Sequence, residues 1–341
     1  IRLSLVGSEM CIRDRYNPVS VSGYHIREAG STAAQELAFT LNNGFAYIEE
    51  CLERGLKIDN FAHRLSFFFN AHMDFFEEIA KYRAARRIWA NRLKNQYGAK
   101  NESSLKLKFH TQTAGCSLTA QQPENNIVRT ALEAMSAVLG GTNSLHTNSL
   151  DETLALPSEK AAKIALRTQQ IIAFETGVPN VADPLGGSWY IEELTDKLEK
   201  QALKYFDEIH EMGGTLQAIE DGYFQKKIAE SASIYQESVD SKERIIVGVN
   251  DFIEQDEELD IEILKISRDA QDTQEHKIKI LRKNRDEKIL QEKMKKLSDA
   301  CKNDLNLVPF LIEVAQQGGT VGEIVEVMKK VYGEWEESFG I

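Results

Sequence analysis

Four short polar clusters carry most of the side chains in this sequence that could do chemistry. They are Ser22-Gly23-Tyr24-His25, Arg64-Leu65-Ser66 running into Phe67-Phe68-Phe69-Asn70, His110 through Cys116, and Ser144 through Glu152. Three of them hold a histidine, and most of their other polar residues are Ser, Thr, Asn or Gln. Such a lining offers hydrogen bonds with few formal charges. It suits a large neutral or amide-rich ligand better than metal-assisted hydrolysis, which needs clustered carboxylates and imidazoles. His25 is the candidate catalytic group, with a satisfied core histidine as the plain alternative. His110, His146 and Cys116 could in principle hold zinc, but no H-x-x-x-H pair or third paired ligand supports it. Arg64 reads as an anion-binding residue, a helix cap or a partner of Asp59. The Phe67–Phe69 run reads as core packing, and Glu152 as either a functional carboxylate or a cap. Gly140-Gly141 and Gly213-Gly214 match neither G-x-x-x-x-G-K-[ST] nor G-x-G-x-x-G, so they are not phosphate loops.

Elements able to position these clusters recur between Asn17 and Gly177. Each unit is a short strand, a polar junction and a long amphipathic helix. The first has a strand at Val19–Tyr24 and a helix at Thr32–Arg54, opened by the T-x-x-Q capping box of Thr32 and Gln35. The second has Leu65–Phe69 and then Asp74–Tyr97. The third has Leu105–Thr111, where Leu105, Leu107 and Phe109 alternate with lysines, and then a helix at Glu124–Leu139. In that helix Ile127, Val128, Ala131, Leu132, Met135 and Val138 recur at i, i+3, i+4 spacing, which predicts that they form the buried face. The fourth has Ser144–Thr147 and a helix opening at Ser158 after Pro157. Repeated β-then-α units imply a parallel sheet with crossover helices, and four of about 40 residues each match half of an eight-fold barrel. The clusters then lie where such folds keep function, at the C-terminal ends of the strands.

Beyond Gly177 the pattern becomes helical. Helices are expected at Tyr190–Met212 and Thr215–Val239, a short strand at Ile245–Val249, and a solvated acidic linker at Asp251–Asp260. One or two exposed helices follow over residues 262–300, then a pair at Asn306–Gln317 and Val321–Tyr332. Besides the β/α pattern, the repeat is the small tandem TNSLH-TNSL of Thr142–Leu150. The fold class expected is α/β: the C-terminal half of a (β/α)8 TIM barrel followed by a mainly helical extension. Residues 16–239 form the first part and residues 240–341 the second. The opening stretch, residues 1–15 (IRLSLVGSEMCIRDR), lacks the features of a signal peptide. It is expected to be a foreign tail rather than an N-terminal strand, with the natural sequence starting in mid-fold near Tyr16.

Among the 341 residues, 53 are acidic and 41 are Lys or Arg, a net charge of −12 that disfavours a nucleic-acid binder. No run approaches the ~18 apolar residues of a membrane-spanning helix. Cys11, Cys51, Cys116 and Cys301 show neither CxxC spacing nor close pairing, so reduced thiols in a cytoplasmic protein are expected.

The motifs YNPVSVSGYHIREAGSTAAQELAFTL, FAHRLSFFFNAHMDFFEEIAKYRAARRIWA, HTQTAGCSLTAQQPENNIVRTALEAM and SLHTNSLDETLALPSEKAAKIALRTQQI, with DPLGGSWYIEELT after them, resemble the acyl-CoA-binding part of the methylmalonyl-CoA mutase family. The resemblance runs from about Tyr16 to the C-terminus. It implies an adenosylcobalamin-dependent isomerase in which an acyl-CoA threads the barrel and its thioester group migrates to the adjacent carbon by a radical route. It also implies the site. His25 hydrogen-bonds the thioester carbonyl with Tyr24 beside it. Arg64 and Ser66 contact the CoA-bearing substrate, and Gln112 faces the substrate or adenosyl region. Gly115, Glu152 and Ala155 line the cobalamin, and no residue here ligates a metal. Cys116 departs from the family, where several relatives have Trp.

The barrel half that recognises the acyl group is not in this sequence, and no D-x-H-x-x-G motif follows Tyr332. The expectation is therefore a large subunit, inactive alone, partnered by a cobalamin-binding small subunit in a hetero-oligomer or dimer. Residues 240–341 would form the linker and docking helices. A frame truncated at both ends is the alternative for the chain's extent. For function, the alternatives are an isobutyryl- or hydroxyisobutyryl-CoA mutase, or a non-catalytic helical partner with a decayed barrel. An unrelated barrel hydrolase is disfavoured by the lack of a carboxylate pair.

Overall fold

The computed structural model of the chain describes residues 19–254, 261, 263–264 and 267–336. Residues 1–15 and most of the acidic stretch at 251–260 lie outside the described residues. The fold is mixed α/β with a small parallel sheet. Its strands are β1 (Ser20–Ser22), β2 (Ser66–Ala71), β3 (Phe109–Thr113) and β4 (Ser144–His146), in the order β1-β2-β3-β4 and all parallel. Interleaved with them are α1 (Tyr24–Glu28), α2 (Ala33–Glu53), α3 (Phe75–Asn95), α4 (Asn125–Leu139) and α5 (Glu159–Glu175). Then come α6 (Trp189–Glu211), α7 (Thr215–Glu220) and α8 (Tyr223–Asp240).

Helix starts follow local chemistry. Thr32 and Gln35 close the expected capping box, and the side chains of Asp74 and Ser158 accept from the amides of Glu77 and Ala161. Side chains alternate across the strands, so the sheet has two unlike faces. Val21, Phe67, Phe69 and Phe109 are buried beneath the helices. Phe67 meets Trp89 of α3 edge-on at 5.0 Å, and Phe45 of α2 stacks on Trp89 at 5.8 Å. Leu198, Ala202 and Phe206 of α6 join the same core, so α3 is covered on one side by the sheet and on the other by α6.

Five expectations need correction. Tyr24 belongs to helix α1, not to the first strand. Residues 102–105 form a helical turn rather than the start of β3, because the Asn101 side chain accepts from Ser103 N and Trp89 Nε1 donates to Ser104 O. The expected strand at Ile245–Val249 is a turn held by Asn250, which accepts from Ile246 N and donates to Val239 O and Arg244 O. The expected helix at Thr215–Val239 is broken at Gly222, whose φ of 67° places it in the left-handed region.

The fifth correction is α4, which is turned around. Val128 and Leu132 of its apolar stripe are 59% and 47% exposed, while Asn126, Arg129, Thr130, Glu133 and Ser136 are buried. Among these inward groups, Asn126 and Arg129 have partners that make this stable. Asn126 Nδ2 donates to Thr119 O and Leu150 O, and Arg129 donates to Thr119 Oγ1, Asn126 Oδ1 and Val247 O.

The chain divides into two compact units between Leu264 and Lys265. Residues 240–254 thus belong with the first unit, whereas the sequence pattern places the change at 240. The second unit contains α9 (Arg268–Asn284), α10 (Glu287–Lys302), α11 (Val308–Gln316) and α12 (Val321–Tyr332). Leu290, Met294, Leu297, Cys301 and Val314 form its own core, so the second helix of the expected exposed stretch is half buried. Arg285 grips Glu323 with two hydrogen bonds of 2.8 and 2.7 Å, and Thr320 with Glu323 closes a capping box.

Candidate functional site

The sheet face away from the helices is polar. Strand alternation places Ser20, Ser22, Ser66, Phe68, Asn70, His110, Gln112, Ser144 and His146 there. His110 Nδ1 lies 2.7 Å from Ser144 Oγ, and Gln112 Nε2 donates to Asn148 Oδ1 at 2.7 Å. Phe68 is not core packing, as the aromatic run suggests. It is half-buried at the centre of this face, stacked on Tyr24 at 5.0 Å and met edge-on by His110 at 5.0 Å.

At the C-terminal strand ends, Tyr24, Gln112 and Gly115 gather around Asn148, with His25 next to Tyr24 in α1. Helix α1 can turn off β1 tightly because residue 23 is glycine: a Cβ there would sit 1.9 Å from Thr40 Oγ1. His25 is exposed, with Nδ1 3.3 Å from Ser22 Oγ. Partial burial lowers its pKa, so near neutral pH it offers a hydrogen bond rather than a charge. Burial raises the Tyr24 phenol, which therefore keeps its proton. A Cβ on Gly115 would lie 3.0 Å from Glu28 Oε2, 3.3 Å from Asn148 Nδ2 and 3.5 Å from Tyr24 Oη. A side chain at this position would crowd the site's own packing rather than enter open space. Glu152 and Ala155 lie in the turns after β4, where Glu152 N donates to Ser149 O and Ala155 N to Asp151 O.

Arg64 and Ser66 are not at this end. Arg64 closes the short turn Ala62–Arg64 and Ser66 is the first residue of β2, so both lie at the N-terminal edge of the sheet. Asp59, the suggested partner of Arg64, accepts from the amides of Lys100 and Asn101. Among the described residues no three His, Cys, Asp or Glu side chains cluster as a metal site, and no helix is long and apolar enough to cross a membrane.

The methylmalonyl-CoA mutase family model matches residues 9–334. The chain belongs to the methylmalonyl-CoA mutase family. It is 46% identical over 325 residues to the 2-hydroxyisobutanoyl-CoA mutase large subunit of Aquincola tertiaricarbonis, covering 95% of this chain and 58% of that protein. It is also 46% identical to the human mitochondrial methylmalonyl-CoA mutase, covering 94% of this chain and 43% of the relative, and to the Rhizobium meliloti methylmalonyl-CoA mutase, covering 94% and 45%. The chain spans about half the length of the curated relatives it matches.

This mutase-family chain has further site residues that motif reading misses. Glu28 is the acceptor for three donors: Asn70 Nδ2 at 2.6 Å, Gly115 N at 3.0 Å and Cys116 N at 2.9 Å. Burial, and then Glu28, push the Cys116 thiol up to about 12. Behind the strand ends lies a fully buried charge cluster. Lys81 Nζ donates to Glu36 Oε2 at 2.6 Å, to Asn70 O at 2.7 Å and to Glu78 Oε2. Burial raises Glu36 to about 7, with Lys81 pulling it down and Glu78 pushing it up. The only sequence signal for this cluster is a charged residue at i+3 spacing inside α3, which reads equally well as a solvated face.

Proposed function

We propose that this chain is the acyl-CoA-binding, catalytic part of an adenosylcobalamin-dependent acyl-CoA mutase, an isomerase that moves a CoA thioester group to the neighbouring carbon. Its first unit is read as the C-terminal half of a (β/α)8 barrel, and its second as the helical extension toward a cobalamin-binding small subunit. The observation carrying the reading is the polar sheet face with Arg64 and Ser66 at one end and Tyr24, His25, Gln112 and Gly115 at the other. A long ligand lying along the strands would meet both groups.

In this reading His25, kept neutral by partial burial, donates to the thioester carbonyl oxygen and stabilises charge that builds there during migration. Tyr24, stacked on Phe68, walls that position and excludes water. Arg64 and Ser66 hold the CoA portion, where a planar guanidinium suits phosphate or carbonyl oxygens. Gln112, fixed by Asn148, orients the acyl end. The exposed groups at the C-terminal edge are neutral or singly charged and do not cluster among the described residues. They fit contact with one face of an amide-bearing corrin, but not ligation of its cobalt. Gly115, Glu152 and Ala155 would line that face, the glycine through the backbone of its loop. When bound, the cofactor supplies the carbon radical that takes a hydrogen atom from the substrate.

The substrate is the methylmalonyl-CoA/succinyl-CoA pair or a related branched acyl-CoA. The relative named as a large subunit supports a separate small subunit. Free thiols at Cys51, Cys116 and Cys301 suit a reducing compartment, and the cytoplasm is the proposed location.

The test is the full-length protein assembled with its cobalamin-binding partner and adenosylcobalamin. His25→Ala should lower kcat on the order of a hundredfold with a small change in KM, and Arg64→Ala should raise KM. Equal turnover in His25→Ala and parent would reject the role of His25.

A further inference from the structure

We propose that Asn70 is a positioning residue of this site: its amide carries the rigidity of the buried Glu36–Lys81–Glu78 cluster to the Glu28 carboxylate, and through it to the Gly115–Cys116 loop. The inference deepens the mutase reading and rests on it for its functional meaning.

Asn70 is fully buried at the C-terminal end of β2. Both of its main-chain polar groups are taken by the helical layer. Its N–H donates to Glu36 Oε1 at 2.7 Å, and its carbonyl accepts from Lys81 Nζ at 2.7 Å and from Tyr82 Oη at 2.5 Å. Glu36 belongs to α2, while Lys81 and Tyr82 belong to α3, the helix enclosed on both sides. The residue's backbone is therefore bonded to two core helices.

The side chain of Asn70 serves the opposite side. Its Nδ2 donates to Glu28 Oε1. That oxygen also accepts Gly115 N, while Oε2 accepts Cys116 N. A carboxylate meets three donors here without a donor of its own, which a Gln side chain cannot do. The loop so held packs Gly115 against Tyr24 and Asn148, and Asn148 in turn holds Gln112. One amide and one carboxylate thus tie the ends of β2 and β3 to helix α1, which carries Tyr24 and His25. Sub-ångström placement of such groups strongly affects rate.

Hydrogen exchange on the full chain, without substrate or cofactor, tests the clamp independently of the reaction. Asn70→Ala keeps the main-chain bonds and removes only the amide. It should accelerate exchange at the Gly115 and Cys116 amides about tenfold or more, with the α3 amides within about twofold of the parent. Glu28→Gln should do the same. It should also move the pH profile of Cys116 alkylation, followed by peptide mass spectrometry, toward lower pH. In the assembled mutase Asn70→Ala should lower kcat on the order of tenfold with KM nearly unchanged. Loop exchange that is unchanged in Asn70→Ala, or that accelerates equally throughout α3, overturns the proposal. An unchanged kcat beside a loosened loop overturns its link to the reaction. An assembled parent that turns over no acyl-CoA refutes the mutase reading instead, and the exchange rates then decide for or against the clamp by themselves.

Discussion

Replacing Lys81 by Met removes the cation bonded to both buried carboxylates, Glu36 and Glu78, and leaves the Asn70 carbonyl with Tyr82 alone on its helical side. All three charged side chains are fully buried. Breaking such an arrangement from one side costs about 3–5 kcal/mol, because the partner charges stay behind with only Arg27, 3.8 Å from Glu78, to offset them. Urea unfolding reports it through the emission of Trp89, which is 1% exposed, against Trp189 and Trp335, which are 89% and 69% exposed. The deficit should depend on pH with a definite sign. Glu36 sits at about 7 in the folded chain, above its ordinary value. Between those two values the folded state binds the extra proton, so stability rises as pH falls through that window. Losing Lys81 lifts Glu36 further, so above about 7 only the variant gains on acidification, and the deficit should shrink by up to about 1.4 kcal/mol per pH unit from about pH 9 to about pH 7. Glu36→Gln in the same background should remove most of the deficit and most of its pH dependence. A loss below about 1 kcal/mol, or a deficit that grows on acidification, would refute the reasoning.

Gly23→Ala should cost about 3 kcal/mol through the overlap with Thr40 Oγ1; adding Thr40→Ala should make the pair cost less than the sum in urea midpoints. In the second unit, Arg285 holds the Glu323 carboxyl down at about 2. The stabilisation is present above the ordinary carboxylate value and is lost as pH falls through about 2. Glu323→Gln should therefore lower amide protection in α10 at pH 6 and flatten its acid dependence.

Helix starts and strand-end clusters are readable in the sequence, because caps and alternation are local signals. Thr32, Asp74 and Ser158 sit where their side-chain oxygens can only serve a helix start, and each does so. Helix α4 misleads for a physical reason: periodicity reports which side is apolar, not which side meets the sheet. Asn126 and Arg129 find partners on the strand-end loops, and the polar side turns inward. Arg64 and Ser66 fall at the other edge because β2 runs from Ser66 to Ala71, so they precede its aromatic run rather than follow it. The bonds made by Glu28, Asn70 and Asn148 give no sequence signal because their partners lie far along the chain, where spacing carries no information. Lys81 looks like one charge among several on a solvated helix, and only its bonds to Glu36 and to the Asn70 carbonyl on the sheet side reveal it as interior.

The two ends of β2 have a metric consequence. From Ser66 to Ala71 the strand advances about 16 Å, and it is braced along its length by β1 and β3. It therefore works as a fixed gauge for anything laid against the polar face. A thioester shorter than that interval can occupy the His25 end or the Arg64 end, but not both. Trimming the carrier arm of a ligand should then produce a step rather than a gradual decline in affinity, located at the arm length where the second end is lost.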